Sequence, residues 1–342
     1  MKFASNSILY TIIFALFAQP LLAQDELNVY SARKEALIKP LLDQFAEQNN
    51  VTVNLVTSKA DALIQRLLSE GKNSPADVLI TVDAGRLYRA KKAGLFQALD
   101  PKIFSEYAPP QYQDPEGYWF GLSMRVRMFV YDPNKVDPSK LSSYESLASP
   151  EWENKICIRS SNNIYNQSLV ASLIAHHGID NTQVWANEFI KTFARKPQGG
   201  DRDQIKAVAA GQCELGIVNT YYLGQMLTGT KEEQTAASKV KVFWPNQKPP
   251  HADGAHVNVS GIGVTKHAKN PGLAIKLIEY LYSDESQAWY ANVNFEYPVR
   301  SNIPINDILT SWGEFTADTI NLDQLGILNG EAVQVMDRAG WR

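Results

Sequence analysis

Between residues 27 and 82 the hydrophobic period of the chain switches back and forth, and this alternation limits the fold more than any other feature. Residues 27–32, 51–57 and 78–82 are short runs rich in Val, Leu and Ile, whereas 35–48 and 62–70 space their apolar residues at helical intervals. Strand, helix, strand, helix, strand in that order builds a layered α/β domain on a largely parallel sheet, because each helix covers a sheet face while carrying the chain back to the next strand. Ligands of such sheets sit beyond the C-terminal strand ends. Ser31-Ala32-Arg33, Thr57-Ser58-Lys59 and Val82-Asp83 are therefore expected on rim loops, with Ser58 and Asp83 placed to hydrogen-bond around a ligand.

The pattern then repeats in a second unit. A stretch rich in Pro, Tyr and Gln, 107–117, precedes an extended run, 118–131, that ends at Asp132-Pro133 and reads as a crossing between lobes. Beyond it a strand is expected over 156–159, helices over 166–177, 184–193 and 202–210, and a strand over 215–218 whose sheet ends at Asn219-Thr220-Tyr221-Tyr222. Strand-like segments 240–243 and 257–265 flank a three-proline loop, 245–254, and lead into a helix over 271–282 as the return crossing. From about 284 the chain reads as helices, with a loop at Tyr297-Pro298-Val299-Arg300, that close over the lobes. The expected architecture is a two-lobed α/β fold hinged by crossing strands. Lobe 1 takes 24–121 and 250–300, and lobe 2 takes 122–249 and 301–342.

The N-terminus sets the compartment. Lys2 precedes an uncharged apolar run, 8–17, and Pro20-Leu21-Leu22-Ala23 ends at a small residue, the three-part pattern of a cleavable secretory signal over 1–23. That run is short of the ~20 residues needed to cross a membrane, and no cysteine near Ala23 offers a lipid anchor. The mature chain is expected free in a periplasm, beginning at Gln24 or Asp25. Losing Lys2 moves the formal charge of −3 to −4 over roughly 319 residues, with no basic face or tail for nucleic acid. In an exported chain, Cys157 and Cys213 read as a disulfide, since they lack the CxxC-like spacing of a thiolate metal site.

Motifs of nucleophilic, metalloprotease and nucleotide-dependent enzymes are absent from the sequence. His176-His177 falls in a helical pattern where successive side chains diverge, so surface roles are expected; His251 and His256 lie in a loop with no third ligand near in sequence. Tyrosine is more suggestive. Tyr221-Tyr222 follows one strand of the second unit and Tyr165 another, each just before a helix. Packing tyrosines with a wet tip satisfy the same placement. The alternative is a hard trivalent cation, which prefers anionic oxygen and lowers the phenol pKa from its usual value near 10.

Across the mature chain the sequence resembles the bacterial periplasmic ferric-iron-binding proteins of ABC importers. The resemblance is carried by Val29-Tyr30-Ser31-Ala32-Arg33, Ser74-Pro75-Ala76-Asp77-Val78, Trp119-Phe120-Gly121-Leu122, Tyr165-Asn166-Gln167-Ser168, 196–203, Asn219-Thr220-Tyr221-Tyr222 and Tyr297-Pro298-Val299. It implies a two-lobed periplasmic binding protein fold that closes on Fe3+, held by Tyr165, Tyr221 and Tyr222. The histidine that many members carry after the first of these motifs is replaced by Lys34-Glu35, so the resemblance is to the subgroup in which three tyrosines bind and a carbonate or other small anion completes the sphere. Arg33, Arg125 and Arg127 are the candidates to hold that anion, or else to form interlobe salt bridges. An inner-membrane ABC permease is the implied partner and a monomer the implied state. The alternatives are the same fold with an organic anion, sugar or polyamine, and an exported enzyme using Tyr or Asp as acid or base.

Overall fold

The computed structural model describes residues 25–342, so the expected leader lies outside the described residues. The first unit runs β1 (Glu26–Ser31), α1 (Glu35–Asn49), β2 (Thr52–Thr57), α2 (Ala60–Glu70), β3 (Val78–Val82) and α3 (Ala84–Lys92). The second runs β4 (Phe120–Tyr131), β5 (Ile156–Cys157), α4 (Ile164–Phe189), α5 (Asp201–Ala209), β6 (Leu215–Asn219), α6 (Thr220–Leu227), α7 (Lys231–Ala237) and β7 (Lys241–Phe243). The chain then returns through β8 (Val257–Val264), α8 (Pro271–Leu281), α9 (Asp284–Asn292) and β9 (Tyr297–Pro298), and ends in α10 (Asp307–Ser311), α11 (Asp323–Ile327) and α12 (Asn329–Ala339).

Local chemistry explains where these elements start and stop. In α1 the buried residues Ile38, Leu41, Leu42 and Phe45 recur at helical spacing and form the face that packs toward β2. The helix ends where Asn50 takes the left-handed conformation (φ 51°, ψ 49°) and its N–H reaches back to the carbonyls of Ala46 and Glu47. Helix α3, absent from the sequence reading, is short and strongly polar apart from Ala84, Leu87 and Ala90, and Asp83 caps it by accepting from the Gly85 N–H at 2.9 Å. The two helices expected over 166–193 are one element, α4, broken at Gly178 (φ 78°, ψ 165°), a backbone conformation that suits glycine.

The strands form one sheet in the order β2-β1-β3-β8-β4-β6-β5, with β7 and β9 also paired to β4. Strands β1, β2 and β3 are parallel, and so are β5 and β6. The sheet as a whole is mixed rather than largely parallel, because β8 returns antiparallel between β3 and β4, and β4 is antiparallel to β6. Strand β4 is buried along its whole length and serves both halves. Residues 120–126 pair with β8, and from Arg127 onward the strand pairs with β6 and then β7. The tail spans the halves again, with α11 against both α3 and α4 and α12 along α4. Cys157 and Cys213 form a disulfide, with Cα atoms 5.8 Å apart, at the adjoining ends of β5 and β6. No described helix is long and apolar enough to cross a membrane.

Candidate metal centre

Tyr221 and Tyr222 occupy the first turn of α6, immediately after β6, and Tyr165 is the second residue of α4. Asn219 and Asn163, both in extended backbone, precede these two helices, so the chain turns from strand or loop into helix at the same rim. The Tyr221 hydroxyl donates to that of Tyr165 at 3.2 Å, and the rings of Tyr221 and Tyr222 are 4.2 Å apart. The three phenols line a cavity of about 170 Å³ whose other walls include Ala32, Arg33, Lys34, Val82, Arg125, Gln225 and Glu296. Gly224, one turn along α6, lets the ring of Phe295 approach the helix, since a Cβ there would stand 2.5 Å from that ring. This contact sets Glu296 beside the tyrosines.

Without a cation the surroundings of Tyr221 and Tyr222 favour the protonated phenol. Burial pushes the Tyr221 phenol well above its usual pKa near 10; Tyr165 and Tyr222 push it further, and Arg125 opposes them. Tyr222 is raised by burial first, then by Tyr165 and Asp201. The guanidinium of Arg125 lies 5.5 Å from the centre of the Tyr221 ring and that of Arg159 lies 5.7 Å from the Tyr165 ring. An arriving metal ion would supply the positive charge that lets the protons leave.

The three candidate arginines do not converge on one anion. Arg33 donates to Ser260 Oγ at 2.6 Å and to Glu296 Oε2 at 3.1 Å. Arg125 also bonds Ser260 and reaches Glu296 Oε1 at 3.8 Å, while Ser123 donates to the same carboxylate. Burial alone would raise the Glu296 carboxyl, but Arg33, Arg125 and Ser123 outweigh it and hold the group below the usual carboxylate range. Glu296 belongs to no motif and is not among the residues expected from sequence. Arg125 and Arg127 share one face of a buried strand, and that placement requires buried acceptors. Arg127 turns to the second unit instead, donating to Asp201 at 2.8 Å and Asn166 at 2.6 Å, and it does not line the cavity.

The rim candidates also separate. Ser58 is exposed and away from the cavity. Asp83 is fully buried, with a positive φ of 84°; it accepts from Ser168 at 3.0 Å and Asn258 at 2.8 Å, tying the end of β3 to α4. Burial raises its carboxyl, against the pull of Arg86 and the Ser168 hydrogen bond. Glu35 is exposed and outside the cavity, which Lys34 lines. Among the histidines, His177 bonds Glu145 at 2.7 Å and His176 bonds Asp318 at 3.0 Å, so neither is a free surface side chain. His251, expected to lack further ligands, has Glu145, His177 and Asp253 around it, because the 245–254 loop folds back on α4. A larger hollow of about 620 Å³ near Lys91 and Asp323 is lined by none of Tyr165, Tyr221 and Tyr222, and Lys91 is already paired with Asp114 and Glu116.

The family described as bacterial extracellular solute-binding protein matches residues 73–316. The chain is 46% identical over 320 residues to iron uptake protein A1 of Synechocystis sp., covering 93% of this chain and 88% of that protein. It is 28% identical over 332 residues to the Fe(3+)-binding periplasmic protein of Serratia marcescens, covering 96% and 95% of the two chains. The solved structure of Trichodesmium IdiA (FutA) in complex with iron and citrate ligands matches with a TM-score of 0.89 at 47% identity, over 93% of this chain and 100% of that one. These are binding proteins rather than members of an enzyme family, and the two-lobed fold is theirs. The chain belongs to the bacterial extracellular solute-binding proteins, among the ferric-iron-binding members.

Proposed function

We propose that this protein captures Fe3+ with the phenolates of Tyr165, Tyr221 and Tyr222 in the periplasm and delivers it to an inner-membrane ABC permease. The observation that carries this reading is the convergence of three phenols from two helix starts on one cavity, with two of their oxygens 3.2 Å apart. Three phenolates neutralise a trivalent ion, and hard anionic oxygen suits it better than any other donor nearby. The relatives named for iron uptake and periplasmic Fe3+ binding support the same cargo.

A small anion such as carbonate or citrate completes the coordination sphere from the Lys34 side of the cavity; the Trichodesmium protein holds iron together with citrate. Arg33 and Arg125 contribute through Glu296, which already engages both guanidiniums. Residues 24–121 and 250–300 act as one lobe and 122–249 and 301–342 as the other, closing by flexure of β4 and β8, and the protein works as a monomer released from a cleaved leader. The wall cations Lys34, Arg33 and Arg125 disfavour a polyamine. The test is to titrate the mature protein with ferric citrate, which should produce a broad visible phenolate-to-iron charge-transfer band. A protein that stays colourless, with an unchanged melting temperature, would refute the assignment.

A further inference from the structure

We propose that Glu145 and His177 of the second unit, together with His251 and Asp253 of the 245–254 loop, build a separate site for a divalent transition-metal ion of the zinc type. One ligand atom from each of the four lies within 4.8 Å of all the others. The residues come from three segments brought together by the fold: a short helical turn at Glu145–Ala148, the residue before the Gly178 break in α4, and the 245–254 loop.

The spacings combine one hydrogen bond with one close approach that no hydrogen bond accounts for. His177 Nε2 stands 2.7 Å from Glu145 Oε1, but His251 Nδ1 is 3.7 Å from that same oxygen, too far to hydrogen-bond. Ligand atoms on a tetrahedral ion with bonds of ~2.0–2.1 Å sit roughly 3.4 Å apart, between these two values. The widest separation requires the set to close by about an ångström or more, which the partly exposed Asp253 side chain on its loop can provide. Two carboxylates neutralise a divalent ion, and two neutral imidazoles complete four ligands of the types zinc prefers.

The surrounding groups orient the ligands as metal sites require. Asn246 Nδ2 donates to Glu145 Oε2 at 3.0 Å, fixing the carboxylate. His176 bonds Asp318 at 3.0 Å through Nε2 and stands 3.9 Å from Asp253 through Nδ1, so it sits behind that ligand. The site opens on a hollow of about 390 Å³ lined by Leu173, Trp185 and Glu188, away from the tyrosine cavity. An ion here would pin the 245–254 loop, which feeds β8, to α4.

The test is equilibrium dialysis of Zn2+ against the mature protein carrying Tyr165→Phe, Tyr221→Phe and Tyr222→Phe, so that the cavity phenols are removed. One zinc per chain should be retained, and adding His177→Gln with His251→Asn should weaken binding by at least roughly tenfold. Absence of stoichiometric zinc, or equal affinity after the histidine changes, would overturn the proposal. Should the histidine variant fail to fold, imidazole NMR of the unsubstituted protein decides. One equivalent of Zn2+ should shift the ring nitrogens of His177 and His251 and leave buried His256 unmoved; unshifted His177 and His251 signals would overturn it.

Discussion

The Tyr221 hydroxyl donates to the Tyr165 hydroxyl across 3.2 Å, joining the first turn of α6 to the first turn of α4 over a sequence separation of 56. The donor set is therefore assembled within the second unit. Arg33, Lys34 and Val82 of the first unit form the opposing wall.

Iron binding should be proton-linked. Each coordinating phenol releases a proton, and the Tyr221 and Tyr222 phenols start above their usual pKa, chiefly through burial. Below that pKa the proton competes with the metal, so affinity falls as pH falls, by up to about tenfold per pH unit for each phenol. Competition against a chelator across a pH series measures this; a flat profile would contradict phenolate coordination.

Replacing Glu296 by Gln should destabilise the protein and create an anion site. Arg33 and Arg125 would be left buried without their carboxylate, at a cost of roughly 3 kcal/mol. Citrate or sulfate should recover part of that loss in a thermal melt and change the unsubstituted protein less. A variant melting like the unsubstituted protein would show that Glu296 does not hold the pair.

The disulfide should contribute through the unfolded chain. Cys157 and Cys213 close a loop with a sequence separation of 56, for which chain entropy gives about 4 kcal/mol. Urea unfolding of the Cys157→Ser, Cys213→Ser protein should show a loss of that order; a change under ~1 kcal/mol would argue against the entropic origin.

Acid stability should depend on His256. Its main-chain N–H donates to Tyr144 Oη at 3.0 Å and its carbonyl accepts from the Arg127 N–H at 2.9 Å, at the point where β4 changes partners. Burial, aided by Arg127 against the pull of Asp318, lowers the ring pKa from 6.5 to about 4. The unfolded chain binds the proton more readily between those values, so the contribution is intact above pH 6.5 and is lost as pH falls toward 4. Its size is roughly 3 kcal/mol. Urea unfolding across that range should show a smaller pH slope for His256→Gln; an equal slope would place the effect elsewhere.

The parts legible in the sequence were those written in local pattern. The βαβ alternation, the long crossing strand and the strand-to-helix positions of Tyr165, Tyr221 and Tyr222 follow from periodicity and turn chemistry, and the cysteine pairing from the even count in an exported chain. Helix α3 escaped because its first turn depends on Asp83, a residue held in place by Ser168 and Asn258 from distant segments. The partition of the arginines was equally hidden. Whether Arg125 or Arg127 meets an anion depends on Glu296 and Asp201, 171 and 74 residues away in the chain. The cluster around His251 depends on how the 245–254 loop folds back, which no local spacing records.

The most direct test of the iron assignment is a comparison of ferric binding by the mature protein and by its Tyr221→Phe, Tyr222→Phe variant, read by charge-transfer absorbance and citrate competition. The expected result is loss of the visible band and a fall in affinity beyond the roughly 100-fold that changes outside the coordination sphere produce. A variant that keeps both the band and the affinity would contradict it.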